Sequence, residues 1–248
     1  MKNKITFTSV DEIYFDAYDK PQPAGKDVPE WFAKQSRYSN NKKEIRIHSG
    51  GHHNPNAPRF GKFNVTVKGC AAVYDAITAG YLIYTDSDLF FQKDENNQIN
   101  ITQNSNPYSF ISRTPVEQVG EYLFDKEYYE NCIFKYNTHW SMETPEGYSC
   151  IYLHPMWRDD LPFKILPGIV DQDGTKGIVN VFFLIKKNFE GVLPAGTPIC
   201  QIIPFKRENW EFETKAGPSK KQKIAHLRGF RYLENAYKKT AYAKKKWY

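Results

Sequence analysis

The sequence predicts a mainly β (α+β) protein, on three observations. Hydrophobic residues make up 40% of the 248 and aromatics 16%, with seventeen Tyr and seventeen Phe, a usage that suits half-buried strands better than a helical bundle. Turn signals recur at intervals of roughly eight to twelve residues, as in sandwiches and jelly rolls. Only beyond Phe212 does the apolar period change, with Ile224, Leu227, Phe230 and Leu233 at helical spacing, which predicts a helical tail reaching at least Ala236.

Taken in order, residues 1–62 read as an irregular N-terminal extension packed on the core. It carries Pro21-Gln22-Pro23-Ala24-Gly25 and then Val28-Pro29-Glu30-Trp31-Phe32-Ala33-Lys34, a short helix with Pro near its start and Trp31 and Phe32 as anchors. Residues 49–58 are a loop by composition. A core over 63–213 opens with the period-2 strand Phe63-Asn64-Val65-Thr66-Val67-Lys68. A small-residue helix over 69–80 follows, closed by Gly80 as a C-cap. Residues 81–84 and 88–92 are strands around Thr85-Asp86-Ser87, and Asn96-Asn97-Gln98 turns the chain into a strand over 99–102.

Residues 103–130 carry little pattern beyond a short helix over 115–120. Strands resume at 132–136, and Trp140-Ser141-Met142-Glu143 leads into the turn Thr144-Pro145-Glu146-Gly147 and a strand over 148–155. Residues 166–207 then read as two strand pairs. Gly168-Ile169-Val170 meets a turn at Asp171-Gln172-Asp173-Gly174, with Gly174 supplying positive φ, and a strand follows over 178–185. Ala195-Gly196-Thr197-Pro198 introduces the last strand, 199–203. The basic helical tail occupies 214–248, and all three parts are expected to form one globular unit.

The net charge of +6 is unevenly spread. The tail carries Lys215, Lys220, Lys221, Lys223, Arg228, Arg231, Lys238, Lys239, Lys244, Lys245 and Lys246 against Glu234 alone, a balance of +10, which leaves −4 for residues 1–213. A basic tail on an acidic body points to nucleic acid or an acidic protein surface as partner. Phe230, Tyr232, Tyr237, Tyr242 and Trp247 interleave with those cations; stacking on bases and docking on the chain's own body are equally compatible with them.

Other classes are disfavoured. No apolar run approaches a membrane span and the N-terminus lacks a signal-peptide core, so the chain reads as soluble and not secreted. Cys70, Cys132, Cys150 and Cys200 form no C-x-x-C pair and read as buried free thiols. His48, His52 and His53 sit in a loop without ligand spacing, so no metal is expected, and an iron or zinc enzyme using them with His139 or His154 is the weakest reading. There is no nucleophile elbow, P-loop or H-E-x-x-H helix.

The ordered motifs Cys70 with Tyr74-Asp75-Ala76-Ile77-Thr78-Ala79-Gly80-Tyr81, Thr144-Pro145-Glu146-Gly147-Tyr148-Ser149-Cys150, His154-Pro155, Gly168-Ile169-Val170-Asp171-Gln172-Asp173, Pro194-Ala195-Gly196-Thr197-Pro198 and Ile203-Pro204-Phe205-Lys206-Arg207 resemble an uncharacterised family of tailed phages and bacteria. Residues 145–205 are distantly similar to the β-clip of dUTPase and dCTP deaminase. This resemblance implies a jelly-roll-like core, a phage setting in host cytoplasm or virion, and a homo-oligomer.

In that enzyme family an aspartate matching Asp171 acts beside the sugar and the attacking water, and a glutamine matching Gln201 reaches back to the phosphate loop. The sugar-stacking aromatic is absent, since Gly174 and Thr175 stand in its place, and the phosphate loop reads His154-Pro155-Met156-Trp157-Arg158, with Arg158 its one phosphate-binding group. The resemblance thus implies a degenerate core, a non-catalytic binding or virion-assembly module without cofactor. The alternative is a diverged nucleotide pyrophosphohydrolase or deaminase using magnesium with Asp171 and Arg158. Asp75, Tyr148, His154, Arg158, Asp171 and Gln201 are the polar side chains expected to converge if a ligand site exists.

Overall fold

The computed structural model describes residues 3–38, 66–104, 110–115, 118, 120, 125, 127–231, 237–238 and 241–247. Backbone contacts group the chain into two compact units, residues 1–27 with 79–209 and 247–248, and residues 28–78 with 210–246. The chain is mainly β, in antiparallel sheets.

Among the described residues the first unit holds thirteen strands: β1 (Thr6–Ser9), β2 (Gln22–Pro23), β3 (Tyr81–Tyr84), β4 (Leu89–Lys93), β5 (Ile99–Gln103), β6 (Phe110–Thr114), β7 (Ile133–Glu143), β8 (Tyr148–Leu153), β9 (Phe163–Ile165), β10 (Gly168–Val170), β11 (Ile178–Ile185), β12 (Gly191–Leu193) and β13 (Pro198–Lys206). One sheet runs β1-β7-β11-β9 with β6 also on β7, a second β10-β8-β13-β3-β2, and a third β12-β4-β5. Side chains from all three enter one core, among them Phe134, Tyr136, Phe163 and Phe183, then Ile83, Tyr152 and Ile202, then Leu89, Phe91 and Leu193. β7 is buried along almost its whole length, as expected of a strand covered on both faces.

Several elements differ from the sequence reading. The N-terminal stretch is not wholly irregular: Thr6–Ser9 pairs with Trp140 to Glu143 of β7. The end of the strand expected over 63–68 is a 3-10 turn, Val67–Gly69, because the Thr66 hydroxyl caps it by accepting from Lys68 N at 3.3 Å; residues 63–65 lie outside the described residues, as do 116, 117 and 119 of the helix expected over 115–120. No hairpin joins β10 to β11. Residues Gln172–Thr175 form a single helical turn, α3, which sends the chain from β8's edge to β7 in another sheet. The left-handed residue there is Lys176, at φ 44°, and not Gly174. β6, β9 and β12 are strands that the sequence reading did not assign.

The second unit contains α1 (Glu30–Lys34), α2 (Ala71–Thr78) and α4 (Lys220–Arg231). Phe32 is buried, packs against Tyr74, and lies under the Lys68 ammonium, which also hydrogen-bonds the carbonyls of Phe32 and Ala33. Trp31, by contrast, is exposed. Among the cysteines, Cys132, Cys150 and Cys200 are buried thiols, and burial pushes the last two up to about 12. Cys70 is exposed at the start of α2, against the expectation of four buried thiols. Among the described residues no helix is long and apolar enough to cross a membrane.

Candidate functional site

The five candidate residues of the first unit do not gather at one point: Asp171 and the Tyr148 backbone meet Arg207, while Gln201, His154 and Arg158 have other partners within the unit.

Asp171 follows β10 and opens α3. Its Oδ1 accepts from Ser149 Oγ at 2.6 Å and lies 3.4 Å from the Arg207 guanidinium. That guanidinium also donates to Ser149 Oγ at 3.1 Å, to the Tyr148 carbonyl at 3.0 Å and to Asp173 Oδ1 at 3.0 Å, with a second, short contact to Asp173 Oδ2. Asp173 Oδ2 in turn accepts from Gly147 N at 2.8 Å. The register explains the assembly: β8 lies between β10 and β13, so that Val170 faces Cys150 while Lys206 faces Tyr148. The two aspartates and Arg207 therefore meet across the start of β8. Hydrogen bonds from Arg207, then from Gly147 N, hold the Asp173 carboxyl down to about 2, and Arg207 is raised by the same contact.

Gln201 and His154 have their partners elsewhere in the unit. Gln201 is buried on β13; its Oε1 accepts from Met156 N at 2.8 Å and its Nε2 donates to the Ala79 carbonyl at 2.7 Å. The side chain thereby ties the loop after β8 to the segment entering β3. His154, at the end of β8, uses both ring nitrogens: Nδ1 accepts from Ile165 N at 3.4 Å, and Nε2 donates to the Arg158 carbonyl at 3.1 Å. Burial lowers its pKa, and Phe163 packs edge-on against its ring. The ring is thus held by a backbone donor on one nitrogen and a backbone acceptor on the other. Arg158 in the same loop pairs through Nε with Asp160 at 3.1 Å.

Tyr148, at the first position of β8, shares a short hydrogen bond with Asn3. Asp75, on α2, belongs to the second unit, where it accepts from Tyr242 Oη at 3.0 Å and pairs with Lys245 Nζ at 2.5 Å. Of the tail cations, Lys220, Lys221, Lys223, Lys238, Lys244 and Lys246 are exposed. Lys239 and the side chains of Arg228 and Arg231 lie outside what is described, as do His48, His52 and His53.

One buried cluster escaped the sequence reading. Asp86, in the turn between β3 and β4, accepts from His139 Nδ1 at 2.8 Å and shares a short hydrogen bond with Tyr136 Oη, while its own N–H donates to that oxygen at 3.1 Å. Side chains three apart on a regular strand point to opposite faces. Here Asn180 pairs with Asn137 and Ile178 with Ser141, so residues 138–140 of β7 face Val179 alone. Thr138 Oγ1 stabilises this bulge by donating to the Val179 carbonyl at 3.0 Å and accepting from Trp140 N at 3.1 Å. The bulge brings Tyr136 and His139 to the same carboxylate. The His139 ring packs against Tyr18 and Trp140, each with centroids 4.7 Å away, and its Nε2 is buried with no hydrogen-bond partner among the described residues. Asp86 lies in the polar turn Thr85-Asp86-Ser87, where an acid is ordinary, and the bulge that completes the cluster left no sequence signal.

Among the described residues no three His, Cys, Asp or Glu side chains are grouped as a metal ion would require. No protein-family model matches the chain, and no curated protein matches it.

Proposed function

We propose that the chain is a non-catalytic binding module on a degenerate dUTPase-like β-clip, with the basic tail as its contact for a polyanionic or acidic partner. The observation that carries this reading is the closed network of Asp171, Ser149, Asp173 and Arg207. Asp171 is the residue that would serve a nucleotide enzyme, and Arg207 neutralises it and Asp173 together. A general base must reach the proton it abstracts, and a phosphate cradle needs cations free to meet phosphate. Here one guanidinium is occupied by two carboxylates and Arg158 by Asp160.

Gln201 supports the fold half of the reading, because its contact with Met156 N reproduces the reach toward the loop after β8 that the resemblance implies. The setting in a phage virion or host cytoplasm rests on the resemblance of the motif set alone. The test is incubation of the purified protein with a dNTP panel and magnesium. No pyrophosphate release and no deamination above buffer is expected; turnover that disappears in Asp171→Asn would replace this reading with the nucleotide-enzyme alternative.

A further inference from the structure

The pair formed by Asp86 and His139 has no part in the network around Arg207. Asp86 Oδ2 accepts from His139 Nδ1 at 2.8 Å, which puts the ring proton on Nδ1 and leaves Nε2 as the acceptor of the neutral imidazole. That nitrogen is buried with no hydrogen-bond partner among the described residues, on a residue 1% exposed. A buried acceptor left unpaired is destabilising, and its persistence calls for an explanation. Trp140 Nε1, on the next residue, is buried and without a partner among the described residues as well, and the two rings are in contact. A lone pair and an indole N–H side by side suit a hydroxyl, which donates to the one and accepts from the other.

Residues 11–20, strung between β1 and β2, cover these rings. At one end Val10 N donates to His139 O at 2.9 Å, and at the other Gln22 pairs with Leu82. Between them the backbone makes local turns, Phe15 N donating to Glu12 O and Ala17 N to Tyr14 O. Side chains hold the segment down: Tyr18 packs against His139, and Phe15 meets Trp140 edge-on with centroids 6.0 Å apart. Ile13 and Phe15 are nevertheless 82% and 41% exposed, so little apolar area anchors the segment, the condition under which a part of a fold opens by itself. Burial and then the Asp86 charge raise the Tyr18 phenol, so the field of that carboxylate reaches the place where the phenol sits. Tyr18 thus lays a planar, hydroxyl-bearing ring against the imidazole and still leaves Nε2 without a partner.

We propose that residues 11–20 are a lid in which Tyr18 holds, from within the chain, the place of a small phenol-class ligand, whose hydroxyl binds at His139 Nε2 and Trp140 Nε1. The site lies within the first unit and stands whether or not the tail meets a polyanion. The probes are p-cresol, which is the tyrosine side chain as a free molecule, and toluene, the same ring without the hydroxyl. Both are applied to the full chain, native and Tyr18→Ala. Diethyl pyrocarbonate, which acylates an accessible neutral imidazole nitrogen, reads His139 by mass-spectrometric mapping. His154, with both ring nitrogens bonded to backbone, reports global unfolding in the same samples. Tyr18→Ala is expected to speed modification of His139 at least about tenfold and to leave His154 unchanged. Millimolar p-cresol should return His139 of the variant toward its native rate, and toluene should protect at least about tenfold less well. The native chain should bind p-cresol more weakly than the variant, because Tyr18 must first be displaced. His139 and His154 reacting together in the variant, or His139 reacting no faster there than in the native chain, overturns the lid. No protection by p-cresol, or equal protection by toluene, which marks a cavity made by the substitution only, overturns the ligand site.

Discussion

Asp173 illustrates how one long-range contact fixes the chemistry of a group whose local sequence says only turn. Arg207 is thirty-four positions away, and nothing near Asp173 announces it, whereas Asp171 stood out because a Gly-Ile-Val-Asp run precedes it. The contact makes the folded carboxyl titrate at about 2, well below its unfolded value near 4. Between those values the unfolded chain binds the proton and the folded chain does not. The stability contributed by Asp173 is therefore complete above about pH 4 and is lost as pH falls toward about 2. Asp173→Asn removes the titration while keeping the side chain's size. Urea midpoints measured from pH 7 to pH 2 should place the variant below the native protein at neutral pH, with the gap narrowing as acid is added. A gap that stays constant across that range refutes the assignment. His139 shows the same limit from the other side, since the bulge that turns it toward Asp86 depends on Val179 of another strand.

Elements with their own period and a clear stop were legible: β3, β4, β5, β8, β11 and β13, together with α2, lie where alternation and turn residues placed them. The three-residue strands β9 and β12 are too short to show a period, and the β10 to β11 connection was misread because a helical turn and a hairpin use the same Asp and Gly residues. Gly80 is the element boundary that the sequence marked most reliably. It sits at φ +65°, and a Cβ there would lie 2.0 Å from the Ile202 carbonyl oxygen of β13, while its own carbonyl accepts from Ala24 N at 3.0 Å. Left-handed backbone alone costs a non-glycine residue about 1–3 kcal/mol. The clash is with backbone inside the β3–β13 ladder, which cannot move without shifting its register, so Gly80→Ala should cost at least about 3 kcal/mol. Gly147, at φ +81° with nothing near its Cβ position, supplies the control: Gly147→Ala carries the conformational cost only. Chemical denaturation of the two variants should separate them clearly, and equal losses would remove the argument that Gly80 exists for the close approach.

At the scale of the molecule, the division of charge between tail and body was readable from composition, but the partition of the backbone was not. Residues 28–78 and 210–246 form one unit although far apart in sequence, and Asp75 shows why. An aspartate on α2 takes Tyr242 and Lys245 as partners, so at least one of the tail aromatics docks within its own unit and one tail cation is neutralised there. The lysines that open α4, Lys220, Lys221 and Lys223, are exposed and follow one another within a turn, which makes them the part of the tail best placed to meet a polyanion. Each cation that replaces a condensed counterion steepens the salt dependence of binding by close to one unit of log–log slope on duplex DNA. The full-length chain with Lys220→Glu, Lys221→Glu and Lys223→Glu should elute from DNA-cellulose at lower salt than the native chain, with a slope shallower by about 2–3. Substitutions at exposed helix positions leave folding unaffected, so a change in elution reports contact with phosphate. If the triple variant elutes with the native protein, the cationic face of α4 is solvated without a nucleic-acid partner, and an acidic protein surface becomes the polyanion to examine.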